Sequence, residues 1–424
     1  MKRKLSVLFI FCCCWWTACE QPNEIPITSS GLKVYQPQVF AYRGDQTVDL
    51  NWGWYTWGED EAERADPESF KILLSENGGQ DWLEVEQLSG NINQYQLSGL
   101  VNGRSYLLML KAEAAGSVSS YSNRILFVPE EEGAFKDLFD GIPGSRHWGS
   151  YGLKGTYISY SRIVENQSYI YRYALNQGAI FRIAEGEDSD WSPIGDQIAF
   201  LTSIKSIEGD EPETNSILLH SENGPRILFG ENSHQREVSW SHDGNSLVML
   251  SNLDQEDGSG YGIWTIETVE GATPRLVLPR MELPILLTDP LVSSPRRPIW
   301  GPDSESIIYS RFVQKDSFLI QDILSVPVEG GEESIVISSQ WNDFAPALSP
   351  DGNQLAFVSD RSGVDAIWIR DLETNRMRQL TGSSKIVLAA EGQKLDWHPD
   401  GKALLFTAWR DNDSQTIMRI TVDN

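Results

Sequence analysis

One tight turn recurs along the last two thirds of the chain, and it limits the possible folds more than any other feature. The copies read Trp191-Ser192-Pro193-Ile194-Gly195-Asp196, Trp240-Ser241-His242-Asp243-Gly244, Trp300-Gly301-Pro302-Asp303-Ser304, Leu348-Ser349-Pro350-Asp351-Gly352 and Trp397-His398-Pro399-Asp400-Gly401. Proline presets φ, aspartate bonds back to the backbone, and glycine takes the position that needs positive φ. An apolar strand pattern follows each turn: Ile198 to Leu201, Leu247 to Leu250, Ile307 to Ser310, Leu355 to Val358 and Leu404 to Thr407. Pro346 to Gly382 shows a whole unit of four short strands. So small a meander cannot bury both faces alone, so copies must pack against one another.

A period of about 50 residues with strand composition throughout belongs to propeller blades rather than helical solenoids. A degenerate first copy precedes the five turns, with strand patterns at 147–151, 157–161, 169–173 and 179–183. The last copy stops at Asn424 without a fourth strand, while Ala134 to Phe139 has the pattern of a fourth strand with no unit of its own. Pairing Phe135–Phe139 with Ile417–Val422 would complete the last blade, close the ring and remove an open sheet edge. Six blades result, over 134–424. These repeats resemble the PD40, or WD40-like TolB-type, β-propeller. Ile194 replaces the turn aspartate and Ser304 the turn glycine. An acidic insertion at 208–214 and a Pro-rich one at 279–298, carrying Arg296 and Arg297, are expected to project from a face of the ring, where loops bind partners. Arg296 and Arg297 are therefore candidate ligand residues. The resemblance implies peptidoglycan-associated lipoprotein partners, although the α/β domain that precedes the propeller in TolB has no counterpart here.

Ahead of the repeats, strand patterns run from Gly31 to Pro129, including Val48–Trp52, Phe70–Ser75 and Trp82–Val85. Their number and spacing suit a β-sandwich. The segment Tyr95-Gln96-Leu97-Ser98-Gly99-Leu100-Val101-Asn102-Gly103-Arg104-Ser105-Tyr106, with Trp52 upstream, resembles a fibronectin type III domain over 31–129, a fold that usually acts as a spacer or adhesion module. Trp54, Tyr55 and Trp57 beside the acidic loop 59–63 are candidates to stack a sugar or peptide; the alternative is that they fill or edge the core. Residues 130–133 read as a linker, with like charge and a glycine.

The amino terminus has a basic start, Lys2-Arg3-Lys4, an apolar stretch from Leu5 to Trp16 and small residues before Cys19. This resembles a bacterial lipoprotein signal (1–18) followed by a tether (19–30). It implies a lipid on Cys19 and a place in the cell envelope, at the outer membrane; an ordinary export signal is the alternative. All 4 cysteines lie within the first 19 residues, so no disulfide or thiolate chemistry is available beyond them. A formal net charge of −26 argues against a nucleic-acid partner.

No Gly-x-Ser-x-Gly elbow, His-Glu-x-x-His or other metal-ligand spacing occurs, and the 5 histidines are scattered. The repeated turn aspartates read as turn geometry rather than a cation-binding ring, and the repeated tryptophans as fillers between blades. The expectation is thus an all-β chain, a fibronectin type III-like sandwich before a six-bladed, end-closed propeller. It is expected to be non-catalytic, without cofactor or metal, and to bind an envelope protein or glycan. A propeller lyase or hydrolase acting on extracellular polysaccharide or peptide is the alternative.

Overall fold

The computed structural model describes residues 33–34, 36–54, 64–114, 118–129, 135–202, 214–230, 233–254, 260–280, 294–315, 318–382, 387–389, 393–411 and 414–422. Cys19, Tyr55, Trp57, the linker 130–133 and most of both insertions lie outside them, as does the side chain of Trp54, whose backbone ends a strand. Strands dominate throughout, in a propeller-like arrangement.

From 135 onward the described residues form six antiparallel sheets. The first holds His147–Tyr151, Tyr157–Val164, Gln167–Ala174 and Ile180–Glu185, in that order. The second to fifth repeat the pattern and open on Glu187–Trp191, Gln235–Trp240, Arg296–Trp300 and Asp343–Leu348. The sixth joins both ends of this region: Phe135–Asp137 pairs antiparallel with Ser414–Thr421, which pairs with Ala403–Asp411, which in turn carries the short strand Asp396–Trp397. Phe135 lies opposite Ile420 and Asp137 opposite Met418, where the sequence pattern puts them. Arg410 clamps the join, bonding Asp137 Oδ2 at 2.9 and 3.0 Å and the Phe139 carbonyl at 2.9 Å. The opening strand of each sheet packs beside that of the next, and the sixth beside the first, so these strands encircle one axis.

The turns are built as their chemistry dictates. Asp243 accepts from Ser241 Oγ and the Asn245 amide, and Asp351 from Ser349 Oγ and the Asn353 amide. These bonds hold both carboxyls below the usual carboxylate range. Gly352 has φ +74°, and a Cβ there would meet Pro302 of the neighbouring turn at 2.8 Å. Ser304, at the glycine position, is forced to φ 56°.

The described residues between 37 and 127 include a three-stranded and a five-stranded antiparallel sheet around one core that includes Val39, Leu50, Trp52, Phe70, Leu108, Tyr106 and Phe127. This unit docks on the fifth sheet through backbone bonds that no side-chain pattern announces. Ala41 and Leu126 donate to the Ser362 and Arg361 carbonyls at 3.2 and 2.6 Å. Arg43, 3% exposed, donates through its guanidinium to the carbonyls of Thr381 and Leu380. Val128 is buried among side chains of the fourth and fifth sheets, so chain next to the expected linker is part of a packed interface.

Candidate functional site

The opening strands share a defect that places the site. In the first five sheets the pairing between first and second strand slips by a residue. At each slip one non-glycine residue takes positive φ: Trp148 (54°), Asp188 (47°), Glu237 (55°), Arg297 (47°) and Ala345 (50°). Each is a β-bulge with a left-handed residue, a conformation costing about 1 to 3 kcal/mol that persists only where surrounding contacts impose it. Each lies three residues before the aromatic or leucine that begins the turn; in the sixth sheet that place belongs to Lys394. Bulges re-aim side chains. Here they bring charge from several sheets to the axis.

A cavity of about 460 Å³ lies there, lined by residues of all six opening strands or the chain beside them. Its wall includes Tyr151, Trp191, Trp240, Trp300 and Trp397, and its ionisable groups include Asp190, Glu237, His242, Arg297, Lys394 and Asp396, beside the neutral polar Ser150, Ser192, Ser239 and Gln393. Arg297 reaches from the fourth sheet to Asp188 Oδ1 of the second at 3.1 Å and to Glu237 of the third at 3.8 Å, with its guanidinium 5.8 Å from the Trp148 ring of the first. Its own backbone N–H donates to Glu237 Oε2 at 2.5 Å. Burial opposes the Arg297 charge, yet Asp188 and Glu237 raise its pKa above the ordinary value. Lys394 donates to the Ser189 carbonyl at 2.8 Å and to Asp190 Oδ1 at 3.1 Å. Asp190 also accepts from Ser150 Oγ and the Trp240 amide, both at 3.0 Å. Asp396 accepts only the Tyr151 amide, at 2.6 Å, among the described residues. Burial first, and then the Asp190 charge, push its carboxyl up to about 8 against the pull of Lys394. Burial thus favours its protonated form.

Arg297 therefore does not project from the ring as the sequence suggested. Lying at the end of a Pro-rich insertion, it is the second residue of an axial strand instead, and its side chain is 11% exposed. Arg296 is in the same strand, 5.9 Å from the Phe312 ring of its own sheet, and likewise is not on a projecting loop. Tyr55, Trp57 and the side chain of Trp54 lie outside the described residues, so their candidacy as a stacking surface stays an expectation. The repeat tryptophans are 5–7% exposed. Trp240, Trp300 and Trp397 each donate Nε1–H to a carbonyl of the preceding sheet, at 3.0, 3.2 and 3.0 Å, so they do fill the seams between sheets while also walling the cavity.

Residues 286–424 match the PD40 family model, the TolB beta propeller domain. That stretch holds the fourth and fifth sheets and all of the sixth except Phe135–Asp137. A protein TolB homolog of Chlorobium luteolum is 43% identical over 58 residues, which are 14% of this chain and only 13% of that relative's length. Among solved structures, TolB from Acinetobacter baumannii is 12% identical over 86% of this chain and 87% of its own, with a TM-score of 0.39. A gluconolactonase of Xanthomonas campestris is 9% identical over 68% of this chain and 90% of its own, with a TM-score of 0.44.

The axial charges Asp188, Asp190, Glu237, Lys394 and Asp396 went unread in the sequence. The signal was present: counting back three residues from each turn's first residue gives Asp188, Glu237, Arg297, Ala345 and Lys394. A bulge adds a residue that breaks strand alternation, so period-two reading misassigns the faces there.

Proposed function

We propose that the chain is an exported cell-envelope protein, anchored at the outer membrane by lipid on Cys19, in which a fibronectin type III-like sandwich (31–129) spaces a six-bladed propeller (134–424) from the membrane. The propeller serves as a binding platform for an envelope protein or glycan. One observation carries the choice of binding over catalysis. The other acids at or beside the axial cavity already have partners, Asp190 with Lys394, Ser150 and Trp240, and Glu237 and Asp188 with Arg297. A general base must hold a lone pair within reach of a substrate proton, and each of these carboxylates is instead oriented by a bond or ion pair to a protein group. The match to a TolB-type domain supports an envelope setting.

A second reading has its own support. Asp396, pushed up to about 8 beside Asp190, is tuned as a general acid would be, which suits a lyase or hydrolase of extracellular polysaccharide or peptide. Incubating the purified full chain with envelope glycan and peptide digests separates the two. Binding predicts retention with no new product masses. Products whose yield falls in Asp396→Asn would establish the enzyme instead. Palmitate labelling lost in Cys19→Ser tests the anchor, and labelling that survives the substitution would refute it.

A further inference from the structure

Charge is spread unevenly among the six sheets of the propeller. The first, spanning 147–185, carries Lys154, Arg162, Arg172 and Arg182 against only Glu165 and Glu185, whereas acids outnumber bases over the sequence that each of the other five spans. A chain of net charge −26 offers carboxylates in excess, and its surface arginines find them, as Arg104, Arg275 and Arg311 do. Arg162, Arg172 and Arg182 do not. Among the described residues none of these three guanidinia has an ion pair or a hydrogen bond, and Glu185, in the same outer strand as Arg182, accepts from Gln167 Nε2 at 2.8 Å.

Aromatic rings hold them instead. The Arg172 guanidinium lies 4.7 Å from the Tyr157 ring and 5.8 Å from that of Phe181, its partner across the ladder. The Arg182 guanidinium lies 4.9 Å from the Tyr169 ring, and Tyr169 is the ladder partner of Arg162. Stacking fixes the plane of a guanidinium and leaves its edge donors free, a geometry matched to a bidentate carboxylate. Arg162 and Arg172 bury Nε but keep their terminal nitrogens at the surface, and Arg182 is exposed. Phe181, 51% exposed, leaves an apolar ring face open beside them.

We propose that this outer edge of the first sheet binds an acidic glycan, a chain of uronate sugars whose carboxylates take the guanidinia and whose flat C–H faces cover the exposed ring. The assignment rests on the glycan-binding role proposed above and gives that role a ligand class and a place. Strand alternation puts Arg172 on one face of the sheet and Arg162 and Arg182 on the other, so a planar membrane laid against the outer strand cannot meet both, whereas an extended chain crossing that strand can. An acidic peptide brings its carboxylates on flexible stems, each of which must be ordered, and leaves Phe181 uncovered. Acids elsewhere on the chain repel a polyanion only over the Debye length, about 8 Å at physiological salt.

Calorimetric titration of the full chain with an alginate oligosaccharide, a chain of uronates, tests this. Saturable binding that added salt weakens is expected, and it should vanish when the carboxylates are methyl-esterified, which keeps the sugar rings. Arg172→Gln combined with Arg182→Gln should weaken binding by about tenfold, and Phe181→Ala severalfold. Arg226→Gln, in the second sheet, should leave it unchanged, and circular dichroism matching wild type shows that each variant folds. Binding of the ester, of poly-glutamate or of phosphatidylglycerol vesicles as tight as that of alginate, full binding by the double variant, or no binding by wild type would each overturn the proposal. In that last case, retention of envelope material by the same preparation shows that the platform reading survives and only the assigned ligand class fails.

Discussion

Replacing Asp396 by Asn should make the protein's stability less sensitive to pH, in a direction opposite to that of most carboxylates. The usual buried aspartate is ion-paired and stabilises the fold as it ionises. Asp396 is held protonated, its carboxyl pushed up to about 8 chiefly by burial, whereas in the unfolded chain it titrates near the ordinary value of about 3.9. Between about pH 4 and pH 8 the folded state thus carries a proton that the unfolded state has lost. Folded stability falls as pH rises through that window, by about 1.4 kcal/mol per pH unit from this one group. Asparagine keeps the acceptor for the Tyr151 amide and has no proton to lose. From pH 5 to pH 7 the variant should gain on wild type by about 2 to 3 kcal/mol. Other carboxyls pushed up by burial, Asp360 and Asp365, both to about 6, remain in both proteins and cancel in the difference. Urea denaturation of each protein at pH 5, 6 and 7, followed by tryptophan fluorescence, measures the gap. A gap that stays constant or shrinks with rising pH would refute the reasoning.

Four further variants have outcomes that follow from the fold. Ser304→Gly relieves a left-handed residue in the fourth sheet's turn and should stabilise by about 0.5 to 1 kcal/mol, whereas Gly352→Ala, with φ +74° and Pro302 at 2.8 Å, should lower the thermal midpoint. Arg361, 1% exposed, pairs with the fully buried Asp343 and sits 5.1 Å from the Phe357 and Trp368 rings; Arg361→Ala should cost about 3 to 5 kcal/mol in chemical denaturation, since it strands a buried charge. Arg43→Ala removes bonds to the Thr381 and Leu380 carbonyls and should raise proteolytic cleavage near residues 130–133 while leaving both cores protected; an unchanged cleavage rate would argue against the docked interface.

How much of this was legible depended on whether the information sat in local chemistry or in distant pairing. Turn geometry is local, so Asp243, Asp351 and Gly352 declared their roles, and Ser304 stood out as the departure it proves to be. The strand Phe135–Asp137 could be placed at the far end because an apolar segment without a unit and a unit without a last strand match. The docking of 37–127 on the fifth sheet rests largely on main-chain groups of Ala41, Leu126, Arg361 and Ser362, which any residue supplies, so no side-chain pattern recorded it. Arg297 was read onto a projecting insertion because composition cannot tell where a loop ends and an axial strand begins. The cavity's charge pairs join residues some 60 to 200 positions apart, as between Arg297 and Glu237 or Lys394 and Asp190, and only the closed circle of sheets brings them together.

That circle rests on the pairing of Phe135–Asp137 with Ser414–Thr421, and a cross-link tests it directly. Lys136 lies opposite Arg419, and no cysteine occurs after residue 19 to compete. Under mild oxidation, Lys136→Cys with Arg419→Cys should form an intramolecular disulfide, seen by peptide mass spectrometry as 136 joined to 419. Lys136→Cys with Arg182→Cys should form none. A 136–419 link no more abundant than this control would contradict a ring closed by its two ends.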